Sequence, residues 1–156
     1  KMRSLSSMVR GLHEQLDALF WQHGCHAERT ISKTMPGSQG MVRMKDLMAR
    51  LRAAPPQTLA GSPVRCVRDY EERVTRFPDG RVQPLSGPRG DVVILDLAAE
   101  GNYAAVRPSG TEPKVKFYLF AYEPPELLAN LDDAKAELAA RLDRMEHDLS
   151  ALAEAQ

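Results

Sequence analysis

The chain has 156 residues, enough for one ordinary domain with a core of its own, or for one domain and a short piece of a neighbour. Lysine plus arginine balances aspartate plus glutamate at 21 each, so no overall field attracts the protein to nucleic acid or to an anionic membrane. The sequence therefore predicts neither a nucleic-acid partner nor a membrane partner, and any site for an anion must be local.

The cysteines and the start of the chain bear on location. Cys25 and Cys66 are single residues far apart in the sequence, a spacing that argues against zinc ligation and against a disulfide framework. A reduced, cytoplasmic setting is the simplest prediction. The start is basic, but its apolar residues are interrupted every two or three positions, so it predicts neither a signal peptide nor a membrane span. Because the sequence begins at lysine, we expect a part of a longer protein.

Helical periodicity dominates the first third of the chain. Apolar residues recur at helical spacing across 5–23, and Gly24 follows where a helix would end. The stretch SKTMPGSQG at 32–40 concentrates Ser, Pro and Gly and predicts a linker, where we place the main domain boundary. A second, shorter helix ends before the prolines at 55–56. Its apolar residues are Met44, Leu47, Met48 and Leu51.

Strand signals follow the second helix. Residues 63–82 predict a hairpin or two short strands around a turn at 78–80, where proline, aspartate and glycine stand together. The run DVVILDL at 91–97 predicts a strand buried on both faces, and a turn leads from it into NYAAVR. VKFYLFAY at 115–122 alternates between an apolar side and a mixed side. The pattern therefore predicts about four strands, antiparallel where short turns join them.

Two further regions, one charged and one apolar, are each open to a plainer and a sharper interpretation. Arginines recur through 65–81, but aspartates and glutamates interleave with them, so we expect a solvated face rather than a nucleic-acid patch. Beyond Pro124 and Pro125, leucines and one methionine recur every seven residues, which predicts a helix of about 29 residues, roughly 43 Å long. Because that length exceeds one small domain, its last turns are expected to project or to meet a partner.

The stretch RPSGTEPK at 107–114 concentrates groups that suit a phosphate dianion. A guanidinium donates two parallel hydrogen bonds to phosphate, and hydroxyls and free backbone N–H groups add further donors. Arg107 ends one predicted strand, and Ser109 and Thr111 follow at two-residue intervals. Gly110 lets the backbone approach an anion closely, and prolines stiffen both ends of the loop. Lys114 and Lys116 add positive charge from the next strand.

An ordinary turn is the alternative interpretation of this loop, because Ser, Gly, Thr and Pro are common turn residues and a single arginine is usually just solvated. The concentration of the donors favours the phosphate site: one arginine, two hydroxyls, one glycine and two lysines lie within ten residues between two strands.

The stretch VRPSGTEPKVKFY resembles the phosphate-binding signature in the C-terminal domain of the alpha-D-phosphohexomutases, the family of phosphoglucomutases and phosphomannomutases. DVVILDLAAEGNYAAVRPSGTEPKVKFYLFAYEP is similar to the family's strand, turn, strand, loop, strand sequence throughout. GLHEQLDALFWQHGCH, PGSQGMVRMKDLMARLR and VRDYEE resemble the end of the preceding domain and the helix leading into the last one. The resemblance covers nearly the whole chain, with the motif at 107–116 highly specific and the first 40 residues less so.

The resemblance implies an α+β fold of the TATA-box-binding-protein-like type, with about four antiparallel strands packed with helices and preceded by a helical segment. It implies that residues 1–40 are the helical end of the preceding domain and a linker, and that residues 41–156 are the C-terminal phosphate-binding domain. Carried over to this sequence, Arg107, Ser109, Gly110 and Thr111 would hold the substrate phosphate that is not transferred. Lys116 falls where relatives often have a second basic residue.

The resemblance also implies an activity for a longer protein. Such an enzyme exchanges the 1- and 6-phosphates of a sugar phosphate through a phosphoserine, a bound Mg²⁺ and a sugar bisphosphate intermediate. The family's phosphoserine loop, its aspartate-rich metal loop and its sugar-recognising loop lie upstream, and nothing in this sequence matches them. We therefore expect no catalytic residue and no metal ligand in this chain, and no activity from the chain alone.

Other functions stay open at this point. Within the family, a phosphopentomutase or a hexose-bisphosphate synthase remains, because loops of the GTEPK type occur across several substrate classes. From another class, the chain would be a non-catalytic interaction module, with a homodimer formed through a coiled coil of the C-terminal helix and with 107–114 as a simple turn.

Overall fold

The computed structural model describes residues 5–155, with side chains described from residue 11 onward, so the part of the predicted apolar spacing that falls in 5–10 lies outside the described side chains. The helices are α1 (Leu5–His23), α2 (Gly40–Ala53) and α3 (Leu131–Glu154). The strands are β1 (Cys25–Thr34), β2 (Thr58–Leu59), β3 (Ser62–Asp69), β4 (Val74–Arg76), β5 (Val82–Pro84), β6 (Val93–Leu97), β7 (Tyr103–Pro108) and β8 (Lys114–Glu123).

The strands form one antiparallel sheet in the order β1-β8-β7-β6-β3-β4-β5, with the short β2 paired to β3. The α+β class predicted from the sequence is confirmed, whereas the described residues contain eight strands rather than about four. The predicted hairpin turn at 78–80 joins β4 to β5, and Phe77 donates from its backbone N–H to Arg81 across it at 3.0 Å. The strands missing from the prediction are mostly short or polar, so alternation marks them weakly.

β1 is a strand that the sequence analysis missed, and the prediction of a linker was wrong for residues 32–34. All ten residues of β1 pair with β8. The helix-facing side of β1 carries two cations, Arg29 and Lys33, between its apolar residues, and they form ion pairs with α3 rather than an apolar stripe. Residues 25–34 therefore share a sheet with the rest of the chain, and the origin of residues 1–40 in a preceding domain stays a prediction.

The C-terminal helix begins later than the prolines at 124–125 had indicated. A single 3-10 turn covers Pro125–Leu127, and α3 starts only after Asn130. The Asn130 side chain accepts hydrogen bonds from the backbone N–H groups of Asp132 and Asp133 at 2.8 and 3.2 Å, which fixes the first turn. The helix has 24 residues, about 36 Å, rather than the predicted 29.

The heptad stripe of α3 packs inside the chain. Its buried members are Leu131, Leu138, Leu142, Met145 and Leu149. They face β1 and β8 on the same side of the sheet as α2. These residues would form the seam of the coiled coil that the interaction-module alternative requires, and the sheet of the same chain already covers them. The last turn of α3 is also held, since Arg50 of α2 donates to the carbonyl oxygen of Leu152 at 3.2 Å.

The two helices before the sheet differ in how much they bury. The apolar face predicted for α2 is confirmed, because Met44, Leu47, Met48 and Leu51 are all buried. α1 is a helix as predicted, but its described apolar side chains are largely exposed. The exposed ones are Leu12, Leu16, Leu19 and Trp21, whereas Phe20 is partly buried against the core. Burial of apolar surface is therefore concentrated between α2, α3 and one face of the sheet, and the other face of the sheet stays open.

Candidate functional site

The loop that carries the predicted phosphate site connects two adjacent antiparallel strands. β7 ends at Pro108 and β8 begins at Lys114, and the backbone N–H of Ser109 donates to the carbonyl oxygen of Lys114 at 2.7 Å. A second bond, from the N–H of Lys114 to the carbonyl of Glu112 at 2.7 Å, tightens the returning end. The loop is thus a short connection whose ends are fixed by the sheet.

Two cations lie directly opposite each other at the base of this loop. Arg107 of β7 and Lys116 of β8 are register partners on the open face of the sheet, and both side chains are exposed. Like charges directly opposite on neighbouring strands are destabilising. In the part of the chain that the structure describes, neither side chain forms an ion pair or a hydrogen bond with the protein. The sheet therefore presents two positive charges that no described residue neutralises.

The loop hydroxyls differ in how far the protein uses them. The Ser109 hydroxyl oxygen accepts a hydrogen bond from the backbone N–H of Glu112 at 3.3 Å, which leaves its O–H free to donate elsewhere. The exposed Thr111 hydroxyl makes no hydrogen bond with any described residue. Both groups and the Arg107 guanidinium therefore remain available as donors at one end of the hairpin.

Lys114 contributes less to this cation group than its position in the sequence indicates. Its ammonium pairs with the carboxylate of Glu112 at 3.0 Å, within the loop itself. This pair neutralises the one lysine at the tip and brings a negative charge into the loop that the sequence analysis did not weigh. Lys116, two residues further along β8 and without such a partner among the described residues, is the stronger second cation.

The loop is braced by a segment that the sequence analysis assigned to the linker. The backbone N–H of Met35 donates to the carbonyl of Pro113 at 2.7 Å. Gly40, the first residue of α2, lies so close that an added Cβ would be 2.1 Å from the Met35 carbonyl oxygen and 2.8 Å from the Pro113 side chain. The sequence signal that could have indicated this contact is Gly40 itself, because a close backbone approach often requires glycine. The brace ties the returning end of the loop to the start of α2.

Gly110 differs from Gly40. A Cβ built on it would meet no protein atom within 4 Å, and its backbone is not in the left-handed region. Neither packing nor backbone conformation within the chain therefore requires glycine at the tip. What glycine provides there is open space above the loop backbone, next to the two hydroxyls.

Comparison with known proteins identifies the family. The sequence model described as "Phosphoglucomutase/phosphomannomutase, C-terminal domain" matches residues 42–138. The chain belongs to the phosphoglucomutase/phosphomannomutase family. It is 37% identical over 116 residues, 74% of this chain, to a phosphoglucomutase of Staphylococcus haemolyticus (strain JCSC1435), and 30% identical over 132 residues, 84% of this chain, to a phosphoglucomutase of Staphylococcus aureus (strain USA300). These matches cover 21% and 23% of the two relatives, so the chain spans about a fifth of their length.

The arginine-rich segment 65–81 in this family member is a solvated face only in part, since Arg65, Arg73 and Arg81 are exposed whereas other charges of the segment are not. Asp69 is fully buried at the end of β3. Its carboxylate pairs with Arg52 at 3.2 Å and with Arg76 at 3.3 Å, and it accepts the backbone N–H of Glu71 at 3.0 Å. Tertiary contact with α2 supplies Arg52, which no local pattern reveals. The solvated-face prediction was therefore wrong for this carboxylate and its partners.

The environment of Asp69 fixes its charge. Burial raises the pKa of this carboxyl, but the backbone N–H of Glu72 and the Arg52 guanidinium outweigh burial, and the pKa lies below its usual value. A second pair nearby, Arg68 with Asp96, is bidentate at 2.6 and 2.8 Å. These arginines are committed to the fold, in contrast to the one at the phosphohexomutase motif.

Two large clefts lie away from the 107–116 motif. One, of about 850 Å³, lies between the end of β1, α2 and the last turn of α3. The other, of about 1020 Å³, surrounds the turn at 99–102 and Arg141. The cation pair and its loop are instead an exposed feature at the end of the open sheet face.

Among the described residues, no group of three or more histidine, cysteine, aspartate or glutamate side chains is placed to hold a metal ion. Among the same residues, no helix combines the length and the apolar character that a bilayer span requires.

Proposed function

We propose that this chain supplies the phosphate anchor of a phosphoglucomutase or phosphomannomutase. In this proposal Arg107, Ser109, Gly110, Thr111 and Lys116 bind the phosphate of the sugar substrate that is not being transferred. The observation that carries it is the pair of opposite cations, Arg107 and Lys116, to which the described part of the chain offers no counter-ion. A dianion seated between them would relieve their repulsion and accept the donors of the loop.

The chemistry of the loop supports binding of phosphate more than of the sugar. Hydrogen bonds that involve a charged partner contribute about 1.5–3 kcal/mol each, so three or four of them are enough for millimolar to micromolar binding after ordering costs. A mutase presents either of two phosphates to the same anchor as the intermediate reorients. A short loop of donors fixed at both ends suits that requirement, because it recognises the tetrahedral phosphate group and leaves the sugar ring free to turn.

The remaining parts of the reaction are proposed to lie outside this chain. Phosphoryl transfer from a phosphoserine, the Mg²⁺ that assists it and the contacts that select the sugar would come from upstream domains, consistent with a chain that spans about a fifth of its relatives. The bisphosphate intermediate would be held here by one of its two phosphates. Under this proposal the chain alone binds phosphate without catalysing the exchange, and a phosphopentose or bisphosphate-forming reaction is decided by residues elsewhere.

We assign α1 to the surface that meets the preceding domain. Its exposed leucines, Leu12, Leu16 and Leu19, lie at helical spacing and form an apolar stripe on a helix whose contacts with the sheet are few. Lys135 of α3 anchors it by an ion pair with Asp17 at 2.6 Å. An apolar stripe of this kind supports the proposal that a neighbouring domain of the same protein covers it.

We also propose a cytoplasmic location, because it fits a sugar-phosphate substrate.

The test is replacement of the arginine. Arg107→Ala should weaken binding of inorganic phosphate and of glucose 6-phosphate at least about tenfold, because one charged donor pair is lost and tenfold corresponds to about 1.4 kcal/mol. NMR titration of the chain measures both affinities. The melting temperature should not fall, since the side chain is exposed and its removal relieves the repulsion with Lys116.

The matched control is Arg65→Ala, which removes an exposed arginine from β3, two strands away from β7 and near its other end. It should leave both affinities unaltered. If the Arg107 variant titrates like the unmodified chain, the loop is an ordinary turn and the proposed function is wrong.

A further inference from the structure

The open face of the sheet continues beyond the cation pair as a row of aromatic side chains. Along β8, Tyr118, Phe120 and Tyr122 follow Lys116 at alternate positions, and Tyr103 joins them from β7. All four rings are half-buried on the face opposite the helices. The row begins one step along the strand from the proposed phosphate anchor.

Three of these rings already have partners. Tyr103 stacks on Phe120 with ring centroids 4.4 Å apart, and Tyr122 lies against His26 at 4.5 Å. Arg68 lies over the Tyr103 ring at 5.8 Å. These contacts fill the middle and the far end of the row with protein atoms.

Tyr118 is different from the other three. Among the described residues its ring stacks on no other ring, carries no cation above it, and its hydroxyl makes no hydrogen bond. Its register partners are small, Ala105 on β7 and Thr30 on β1. Because the side chains on both sides are small, they leave space beside the Tyr118 ring, and a flat ligand has access to that ring.

The spacing between Tyr118 and the cation pair fits a phosphorylated ring. Residues two apart on one strand face are about 6.6 Å apart, so Tyr118 lies about that far from Lys116, and its diagonal neighbour Arg107 on β7 lies about 7–8 Å away. That step is comparable to the separation between a sugar ring and its own phosphate. A phosphate held by the cations therefore brings the attached ring over this part of the face.

We propose that Tyr118 is a specificity-determining residue on which the ring of the bound sugar phosphate lies. This inference rests on the proposed function, since it needs the phosphate anchored by Arg107. The apolar C–H groups of a sugar ring pack on an aromatic face, while its hydroxyls remain exposed to other parts of the enzyme.

An aromatic platform is compatible with a substrate that must bind in two orientations. Packing on a ring face does not depend on the order of the hydroxyls, in contrast to side chains that accept or donate hydrogen bonds at fixed positions. Tyr118 would therefore favour a cyclic phosphate ester over an acyclic one without selecting between the 1- and the 6-phosphate. The selection of a particular sugar is left to other domains.

The experiment compares three ligands on four forms of the chain. Inorganic phosphate, glycerol 3-phosphate and glucose 6-phosphate are titrated by NMR into the unmodified chain, Tyr118→Phe, Tyr118→Leu and Arg107→Ala. We expect the unmodified chain to bind glucose 6-phosphate about fivefold more tightly than glycerol 3-phosphate, and Tyr118→Leu to lose that preference. Tyr118→Phe should keep it, and neither variant should alter binding of inorganic phosphate.

The controls separate this inference from the proposed function. Thermal melts establish that each variant folds, and Phe77→Ala, an aromatic deletion in the distant β4–β5 turn, should leave all three affinities unchanged. If Tyr118→Leu keeps the preference for glucose 6-phosphate, or if the unmodified chain shows no such preference, the proposed role of Tyr118 is wrong. The proposed phosphate site at Arg107 is not contradicted by either result. If no ligand binds the unmodified chain, the proposed function and the platform fail together.

Discussion

Two arginine-containing regions of this chain look alike in the sequence and differ in the structure. At the end of the open sheet face, Arg107 stands opposite Lys116 and both are exposed. At the end of β3, Arg52 and Arg76 converge on the fully buried carboxylate of Asp69. In the first region the described protein provides no counter-charge, and in the second every charge is matched.

The difference separates charges that serve binding from charges that serve the fold. A paired, buried carboxylate is strongly coupled to stability, because removal of one partner leaves the others uncompensated in a low-dielectric setting. Two like charges that face each other in water lower stability a little, and only a bound anion between them offsets that repulsion. Where the fold leaves cations unmatched in this way, a ligand is the natural complement.

The largest effect expected from this comparison is on stability. Asp69→Ala should lower the free energy of unfolding by about 3 kcal/mol, at the low end for a broken buried ion pair because both arginines are partly exposed. Urea denaturation followed by circular dichroism measures the change. Asp79→Ala removes an exposed carboxylate from the β4–β5 turn and should have little effect. A loss no larger than that of the Asp79 variant would show that the buried cluster is not stabilising.

A smaller effect distinguishes the brace of the phosphate loop from its tip. Gly40→Ala should cost about 1–3 kcal/mol, since the new Cβ would overlap the Met35 carbonyl oxygen and Pro113. Gly110→Ala should change the free energy of unfolding by less than about 0.5 kcal/mol, because the space around that position is open. The same methyl group should weaken phosphate binding in the NMR titration. Equal stability losses in the two variants would contradict this division.

The smallest effect is a dependence on pH. The pKa of Asp69 is lower in the folded chain than in the unfolded chain, where it is about 3.9, so the unfolded state takes up this proton first as the pH falls. Its stabilisation is complete only about one pH unit above the unfolded-state value, near pH 5, and is lost as the pH falls through the folded-state value. Denaturation of Asp69→Asn and of the unmodified chain between pH 3 and pH 7 tests the sign. A stability difference that grows toward low pH would contradict it.

Much of the fold could be predicted from local pattern. α2 was predicted by the spacing of Met44, Leu47, Met48 and Leu51, and all four are buried. β6 and β8 were predicted from an apolar run and from alternation, and both strands are paired on both sides within the sheet. In each of these elements the period of the apolar residues matches the side chains that face the core, which is why the sequence carried the information.

The elements that could not be predicted depend on partners distant in the sequence. β1 carries too few apolar residues to be recognised, and its ten pairings with β8 and the ion pair of Arg29 with Asp143 at 2.7 Å supply what its sequence lacks. The start of α3 was missed for a different reason, since it depends on a local signal, the Asn130 cap, rather than on the prolines before it. In the candidate site the loop donors were predicted, whereas the brace by Met35, a distant partner, and the local pairing of Lys114 with Glu112 were not.

The sequence by itself determined the donors at 107–111 and the family to which they point, because that motif is contiguous and each of its residue types has a defined chemistry toward phosphate. Only the tertiary structure decided which charges remain unmatched. Whether an arginine meets a carboxylate depends on strand register and on helix packing, which bring Arg52 to Asp69 from 17 residues away and set Arg107 against another cation. Charge pairing is a property of positions in space, and the order of residues along a chain does not specify it until the sheet is formed.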